Sequence, residues 1–232
     1  MTLNGAQLVV WLAGVDKIFG SNEHRTAAVQ HINLEATAGQ LLVCLGPSGS
    51  GKTTLLTLIG GLLRPTAGIV SLFGRRIESY STRELQELRA KRMGFVFQTF
   101  HLIDALTALE NVMLVLRFAG ESNRGARDQA RAILARLHID HLAQKCPPHL
   151  SHGEKQRVAV ARALVNDADL VLADEPTASL ESKQGFEVIE LLHAYAAERN
   201  KCVIVASHDR RLEEFADVVV RLSDGRIVGN RA

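Results

Sequence analysis

Cysteines are few in this sequence, and none is placed to build a disulfide framework or a zinc site. Cys44, Cys146 and Cys202 lie far apart, with no CxxC pair and no cluster of histidine and cysteine. Disulfide scaffolds and zinc sites need cysteines at short, recurring spacings. Cys44 and Cys202 lie inside apolar runs, where a free cysteine usually acts as a small core residue. We therefore expect a protein of a reducing compartment.

Long apolar runs are missing as well. The longest uncharged apolar run, Thr53 to Leu63, is far shorter than the roughly 18–20 residues that a membrane-spanning helix needs. The stretch from Met1 to Phe19 has an apolar part, but no Lys or Arg precedes it, which is atypical of a signal peptide. If the protein works at a membrane, we expect another chain to provide the spanning part.

The sequence also lacks an excess of charge of one sign. It has 27 Lys and Arg against 25 Asp and Glu, a formal net charge of +2, which gives no basic footprint for nucleic acid. What it does contain is apolar material, since 47% of its 232 residues are hydrophobic. That fraction is enough for one compact α/β domain, or for one core with a smaller lobe.

The order of the apolar segments predicts strands, then a helical middle, then strands again. The continuous run Leu41–Leu45 is typical of a strand buried on both faces, as in a parallel sheet. We expect an α/β core over about residues 1–97 and 167–232, an inserted helical lobe over about 98–166, and a tight turn at Asp224-Gly225. The predicted strands are Leu8–Leu12, Val29–Glu35, Leu41–Leu45, Ile69–Phe73, Gly94–Phe97, Leu170–Ala173, Val203–Ala206 and Val218–Leu222, and the predicted helices are Thr53–Leu63, Thr107–Phe118, Asp128–Leu137 and Gly153–Leu164.

A glycine-rich motif follows the buried strand directly. The run GPSGSGKT, from Gly46 to Thr53, matches G-x-x-x-x-G-K-[ST] in full. In such a loop the backbone N–H groups surround a β-phosphate, Lys52 bridges β- and γ-phosphate oxygens, and Thr53 ligates Mg²⁺. Its place between a strand and a helix predicts a nucleoside triphosphate site. The candidate residues are Gly46, Pro47, Ser48, Gly49, Ser50, Gly51, Lys52, Thr53 and Thr54.

Two acidic residues end the apolar strand Leu170–Ala173. At the carboxyl end of a strand, Asp174 can hold Mg²⁺, usually through water, opposite the lysine loop. Glu175 is then placed to accept a proton from the attacking water. A solvated acidic turn is the alternative for such a pair alone, and the loop at Gly46 argues against it. The sequence has no NKxD motif, which disfavours a GTPase.

The run LSHGEKQR, from Leu150 to Arg157, resembles the signature of ABC ATPases. The resemblance covers almost the whole chain and implies a P-loop NTPase fold with a RecA-like core sheet, N-terminal antiparallel strands and an inserted helical lobe. Segments Gly94 to Val112 and Leu85 to Arg89 look like the group of lipoprotein-releasing, macrolide-exporting and heterocyst-glycolipid-exporting ATPases. The other matching elements are the loop Gly46 to Thr53, the Q-loop residue Gln98, the Walker B strand Leu170 to Asp174, Glu175, the D-loop Ser179 to Glu181 and the switch residue His208.

The resemblance also implies a head-to-tail homodimer with two ATP molecules in its interface. Each nucleotide would be closed by Ser151, Gly153 and the adjacent Glu154 of the second copy, although Ser151 alone would be an ordinary helix N-cap. Phe19 falls where the family carries an aromatic residue that stacks on adenine; alone, it would be a core residue.

Four residues take catalytic roles in this reading. Lys52 and Mg²⁺ neutralise charge and Glu175 activates water. His208 contacts the γ-phosphate. Gln98 senses Mg²⁺ or water and links to the helical lobe. Taken alone, Gln98 would be a turn residue and His208 a cap.

The expected partner is an integral membrane permease, with a periplasmic adaptor as a further partner and no nucleic acid. The protein would lie at the cytoplasmic face of the inner membrane and drive export or the release of lipoprotein or lipid. A cleft with apolar Phe100, Leu102 and Ile103 would receive a short helix of the permease, unless these residues pack internally. An ABC ATPase acting on DNA or ribosomes would bring a coiled-coil insertion or a second cassette, and a P-loop kinase would leave the signature unexplained.

Three departures from the family pattern matter for the interface. His152 stands where glycine is commoner, although the phosphate-facing pair Ser151 and Gly153 remains. Glu154 replaces the frequent glutamine, a change that the family tolerates, and Glu181 replaces the usual D-loop aspartate. Because the Glu181 side chain is one methylene longer, we expect altered contacts across the dimer and a lowered or retuned turnover. Glu181→Asp should therefore change the steady-state ATPase rate or the dimer affinity, and this idea fails if both stay at the wild-type value.

Overall fold

The computed structural model describes residues 2–3, 6–20, 25–178 and 180–231. Its strands are β1 (Thr2–Leu3), β2 (Ala6–Phe19), β3 (Thr26–Thr37), β4 (Gln40–Leu45), β5 (Ala67–Leu72), β6 (Arg75–Arg76), β7 (Met93–Val96), β8 (Leu170–Asp174), β9 (Cys202–Ser207), β10 (Val218–Ser223) and β11 (Arg226–Arg231). Its α-helices are α1 (Lys52–Ile59), α2 (Thr82–Arg92), α3 (Ala108–Phe118), α4 (Asn123–Arg136), α5 (His152–Leu164) and α6 (Ser182–Arg199). Short 3₁₀ turns occupy Ile77–Ser79, Asp140–Leu142, Pro147–His149 and Arg210–Glu214.

A six-stranded sheet in the order β11-β10-β4-β9-β8-β7 forms the centre of the molecule. Its strands are parallel except β11, which pairs antiparallel with β10. Side chains of β4 alternate between two cores: Leu41, Val43 and Leu45 face the core that includes α3 to α6, whereas Leu42 and Cys44 face the core that includes α1. The prediction of a strand buried on both faces is confirmed, and the sheet is the wall between two apolar layers.

The second sheet is antiparallel and covers the α1 side of the first. Its order is β1-β2-β5-β6, with β3 also paired to β2. On β3 the buried residues Val29, Ile32 and Leu34 point into the core shared with α1. Ile32 and Leu34 alternate with exposed residues, whereas the interval of three after Val29 contains His31 at a left-handed φ of 50°. The expected N-terminal antiparallel strands are confirmed.

Helices α3, α4 and α5 lie within the predicted helical lobe. A capping box starts α3, in which the Thr107 hydroxyl accepts from the Glu110 N–H and the Glu110 carboxylate accepts from the Thr107 N–H. Asn111, fully buried on α3, accepts from the Ile103 N–H at 2.7 Å and donates to the carbonyls of Ile103 and Leu106. These bonds fix the loop before α3. The limits of the lobe at residues 98 and 166 stay a prediction.

Several element ends differ from the sequence prediction. Helix α1 stops at Ile59 instead of Leu63, because Gly60 and Gly61 follow and Gly61 takes a left-handed φ of 61°. Helices α2 and α6 and the edge strand β11 were not predicted. The turn at Asp224-Gly225 is confirmed as a two-residue hairpin with φ of 49° and 76°. No helix in the described ranges combines the length and the apolarity that crossing a bilayer requires.

Cys44 and Cys202 are buried, as their apolar surroundings predict. Burial raises the pKa of each thiol to about 12. Both therefore stay protonated at neutral pH and act as small apolar residues of the core.

Candidate functional site

The phosphate loop joins the end of β4 to the start of α1 at the carboxyl edge of the central sheet. Gly51 has a φ of 101°, and a Cβ atom there would lie 2.2 Å from the Ala28 carbonyl oxygen of β3. Only glycine fits this position. Helix α1 starts at the next residue without a side-chain cap, so its first N–H groups are free to bind an anion.

The Lys52 ammonium lies on the floor of the cleft in front of this loop. It donates to the carbonyls of Gly46 at 2.7 Å and Pro47 at 3.0 Å, and it lies 3.7 Å from the Glu175 carboxylate. The Lys52 side chain is only 7% exposed. A buried cation beside free helix N–H groups is the electrostatic environment that a polyphosphate requires.

Asp174 ends β8 directly opposite α1. Its Oδ2 accepts a 2.7 Å hydrogen bond from the Thr53 hydroxyl, while its buried Oδ1 has no hydrogen-bond partner in the described part of the chain. Burial, together with the charge of Glu175, raises the pKa of Asp174, and the bond from Thr53 opposes this in part. An unpaired buried carboxylate oxygen beside a hydroxyl is a hard oxygen pair of the kind that Mg²⁺ prefers. These residues fit the expected ion.

Glu175, the next residue, forms a cluster with the end of β9. Its Oε2 lies 2.9 Å from His208 Nδ1 and accepts from the Ser207 hydroxyl at 3.3 Å. The Glu175 backbone has a left-handed φ of 48° and donates its N–H to the Ala206 carbonyl at 2.9 Å. Such a conformation costs about 1–3 kcal/mol in a non-glycine residue, and the pairing to β9 holds it. The strained turn points the carboxylate at Lys52 instead of at solvent.

Lys52, Thr53 and Glu175 line one cleft of about 320 Å³, whereas Asp174 is not a lining residue and is connected to the cleft by its hydrogen bond from Thr53. Gln98 reaches it from an exposed turn directly after β7, and His208 is 58% exposed at its rim. Ala28 is a lining residue that the sequence did not indicate, because it arrives through long-range packing of β3. The cleft is lined by Ala28, Ser48, Gly49, Gly51, Lys52, Thr53, Thr54, Gln98, Glu175 and His208.

Seven predicted nucleotide contacts are not among the residues that line this cleft within one copy. Gly46, Pro47 and Ser50 belong to the loop itself, and the other four are Phe19, Ser151, Gly153 and Glu154. Ser151 is the N-cap of α5, as predicted, and forms a capping box with Glu154: the Ser151 hydroxyl accepts from the Glu154 N–H, and the Glu154 carboxylate accepts from the Ser151 N–H at 2.7 Å. The bond from the Ser151 backbone lowers the pKa of Glu154. Phe19 ends β2 with 41% exposure and Lys17 above its ring. The nucleotide contacts of Ser151, Gly153, Glu154 and Phe19 stay predictions.

Gly153 also has a structural role inside its own copy. A Cβ atom there would lie 2.7 Å from Gln184 Oε1 on α6, so glycine allows α5 and α6 to approach. Gln184 had no sequence signal, since only the packing of the two helices brings it to Gly153.

The predicted D-loop is described only in part. Glu181 is the N-cap of α6 but makes no side-chain capping bond. Ser179 lies outside the described residues.

An apolar groove of about 770 Å³ lies between α2, β7 and α3, and Arg162 of α5 also lines it. The segment predicted to receive a partner helix does not form it: Leu102 packs against the core, Phe100 lies beside the ring of His152, and Ile103 is exposed. The groove is therefore displaced from the predicted cleft towards α2 and the end of α3. Its apolar lining includes Leu62, Met93, Phe95, Phe97, Val115 and Phe118.

Comparisons with known proteins agree with this geometry. Residues 29–178 match the family model described as ABC transporter. The chain is 40% identical over 227 residues to a macrolide export ATP-binding/permease protein of Rhodopseudomonas palustris, of which it spans only 34%. It is 38% identical over 220 residues to a putative hemin import ATP-binding protein of Staphylococcus haemolyticus, of which it spans 99%.

A solved ATP-binding cassette, described as a dimer in a post-hydrolysis state bound to ADP and Pi, has the same fold. Its TM-score to this chain is 0.90 at 38% sequence identity, and the match covers 96% of this chain and 97% of that one. The expected fold class and the expected resemblance to macrolide-exporting ATPases are confirmed.

The buried carboxylate of Asp174 predicts a pH-dependent stability. Because the pKa of Asp174 is raised in the folded chain, its ionised form destabilises the fold above the ordinary value of 3.8. Asp174→Asn removes that charge, so the urea midpoint of the nucleotide-free chain should rise at pH 7, and the gain should shrink as the pH falls towards 3.8.

Asp169→Asn is the matched control with the opposite sign. Burial raises the pKa of Asp169, but hydrogen bonds from Lys201 and Arg92 outweigh it and hold the pKa below the usual value. Losing this carboxylate should lower the midpoint at pH 7. A urea midpoint that falls in both variants would contradict the inference that the ionised Asp174 carboxylate destabilises the fold.

Proposed function

The chain belongs to the ABC transporter family and is an ATPase of that family, and on this premise we propose that two copies close head to tail over two ATP molecules. The observation that supports the site is that the phosphate loop and the Glu175–His208 pair line one cleft, while Asp174 is hydrogen-bonded to the lining residue Thr53. The groups expected to bind the γ-phosphate, the metal and the water thus lie within a few ångströms of each other.

In this proposal the phosphate loop and Lys52 hold the β- and γ-phosphate oxygens. Thr53 and Asp174 would hold Mg²⁺, and the ion would supply charge neutralisation at those oxygens. Glu175 accepts the proton of the attacking water, because its carboxylate is positioned by Ser207 and His208 and faces the lysine. His208, at the exposed rim, contacts the γ-phosphate.

A second copy would complete each site. Ser151 is exposed and starts α5, so its hydroxyl and the positive end of the helix dipole are free to face a γ-phosphate across an interface. The chain's own cleft contains no part of α5. This arrangement supports the head-to-tail dimer, as does the likeness to a cassette solved as a dimer.

The groove beside α2 and α3 would receive a short helix of a membrane-spanning permease. Two of its lining residues are exposed, Leu62 at 48% and Phe118 at 73%, and Phe97 links it to the turn that holds Gln98. Exposed apolar side chains around a groove are typical of helix-in-groove recognition. An apolar face of a permease helix fits this chemistry.

We place the protein at the cytoplasmic face of the inner membrane, with a permease and a periplasmic adaptor as partners. The relative that carries both ATP-binding and permease in its name is about three times as long as this chain, which spans 34% of it. We propose export, or release of lipid or lipoprotein, from the likeness to the macrolide export proteins.

Glu175→Gln tests the hydrolysis site. Removing the base should lower turnover by about 10³-fold or more, while ATP stays bound and traps the dimer. Single-turnover ATPase assays and light scattering with ATP measure both effects. Glu198→Gln, an exposed change on α6, should behave like the wild type. Unimpaired hydrolysis by Glu175→Gln would remove Glu175 from its role.

Phe118→Glu tests the groove. A charge in place of this exposed aromatic ring should reduce co-purification with the membrane partner of the wild-type chain by about tenfold or more, because an interface anchor of this kind contributes about 2 kcal/mol. Val228→Glu is a matched control on β11, where the wild-type valine is 65% exposed but far from the groove. Equal loss of the partner in both variants would argue against the groove.

A further inference from the structure

The Arg162 guanidinium on α5 binds the main chain directly after Gln98. Its Nη2 donates to the Phe100 carbonyl at 2.6 Å, and its Nη1 donates to the His101 carbonyl. Burial lowers the pKa of Arg162. The hydrogen-bond acceptors of its guanidinium among the described residues are backbone carbonyls and not carboxylates. A planar fork with fixed donors is suited to hold two successive carbonyls in one geometry.

The turn that Arg162 holds is strained. Phe100 and His101 have left-handed φ values of 61° and 49°, a conformation that costs free energy in non-glycine residues and persists only where the surroundings impose it. The Phe100 N–H donates to the Phe97 carbonyl at 3.0 Å, which makes Gln98 the second residue of this turn. The ring of His101 also packs edge-on against Phe97 at 4.8 Å.

Arg162 therefore connects three parts of the molecule. It holds the turn that presents Gln98 to the cleft, it lines the apolar groove, and it belongs to the helix that starts at Ser151. Neither of its hydrogen bonds involves the phosphate loop or the strands that carry Asp174 and Glu175.

We propose that Arg162 is a positioning residue that sets the place of Gln98 in the cleft, an inference that rests on the proposed role of Gln98 in hydrolysis. Without the fork, Phe100 and His101 relax towards right-handed backbone conformations and carry Gln98 away from the reacting groups. ATP binding by the phosphate loop is unaffected by this shift. The loss falls on the chemical step.

The first test is the steady-state kinetics of the purified chain with ATP. Arg162→Gln, which removes the charge and the fork, should lower kcat by about tenfold or more, since a misplacement of about 1 Å can cost about 10²-fold in rate. It should leave the KM for ATP within about twofold. Arg92→Gln is a matched control, because Arg92 also makes a partly buried bond, to Asp169, at the opposite end of β7. It should lower stability but not kcat.

The second test is a double-mutant cycle with Gln98→Ala. If Arg162 acts through Gln98, Arg162→Gln should cause no further loss of kcat in the Gln98→Ala background. Multiplicative losses would overturn the inference. If Arg162→Gln does not fold, Arg162→Lys takes its place in the same cycle; its ammonium cannot form the fork, and we expect a smaller loss that also disappears with Gln98→Ala.

The single variants distinguish the proposed role of Gln98 from the positioning role of Arg162. A wild-type kcat for Gln98→Ala would overturn the proposed role of Gln98 itself. A slow Gln98→Ala with a wild-type kcat for Arg162→Gln would overturn only the positioning role. A loss that appears in KM instead of kcat would assign Arg162 to nucleotide binding and also contradict the inference.

Discussion

Parallel pairing of β4, β9 and β8 brings three distant segments of the chain to one edge of the central sheet. Leu45 lies opposite Ser207, and Asp174 lies opposite Ala206. Each of these strands is followed at once by a functional segment: the phosphate loop, His208 and Glu175. Because backbone hydrogen bonds fix the register, the sheet fixes the points from which Glu175, His208 and the phosphate loop with Lys52 start. The cleft, the strained turn at Glu175 and the direction of α1 all depend on this alignment.

The strands and motifs that could be predicted from the sequence are those whose pattern lies within a short stretch of residues. The continuous apolar runs of β4, β8 and β9, the glycine loop and the paired acids each have a local pattern, and the structure places them as expected. The edge strand β11 was missed because Arg226–Arg231 is largely polar. The apolar residues Val188, Ile189, Leu192 and Ala196 show that α6 did have helical spacing, within a segment of mixed polarity.

Residues that act through long-range contacts could not be found in this way. Ala28 meets Gly51 only because the two sheets pack together, and Gln184 meets Gly153 only because α6 crosses α5. The segment predicted to receive a partner helix does not line the apolar groove for a related reason. The apolar residues after Gln98 were identified, but which of them turn inwards depends on the bonds of Asn111 and Arg162 to that loop.

Unfavourable features occur in the segments that form the site: the buried charge of Asp174 and the left-handed backbone of Glu175, Phe100 and His101. The two apolar cores on either side of the sheet must offset them.

The capping box at the start of α5 has a chemical consequence for the exposed hydroxyl of Ser151. In the cap this oxygen acts only as an acceptor, for the N–H of Glu154, so its own hydrogen remains free for an outside acceptor. A hydroxyl can thus terminate a helix and donate to an anion simultaneously. Aspartate would terminate the helix equally well, yet it has no proton to offer and would repel a phosphate. Among common capping groups, the hydroxyls of serine and threonine and the amide of asparagine can accept inside the helix cap and donate outwards, whereas the carboxylate of aspartate cannot.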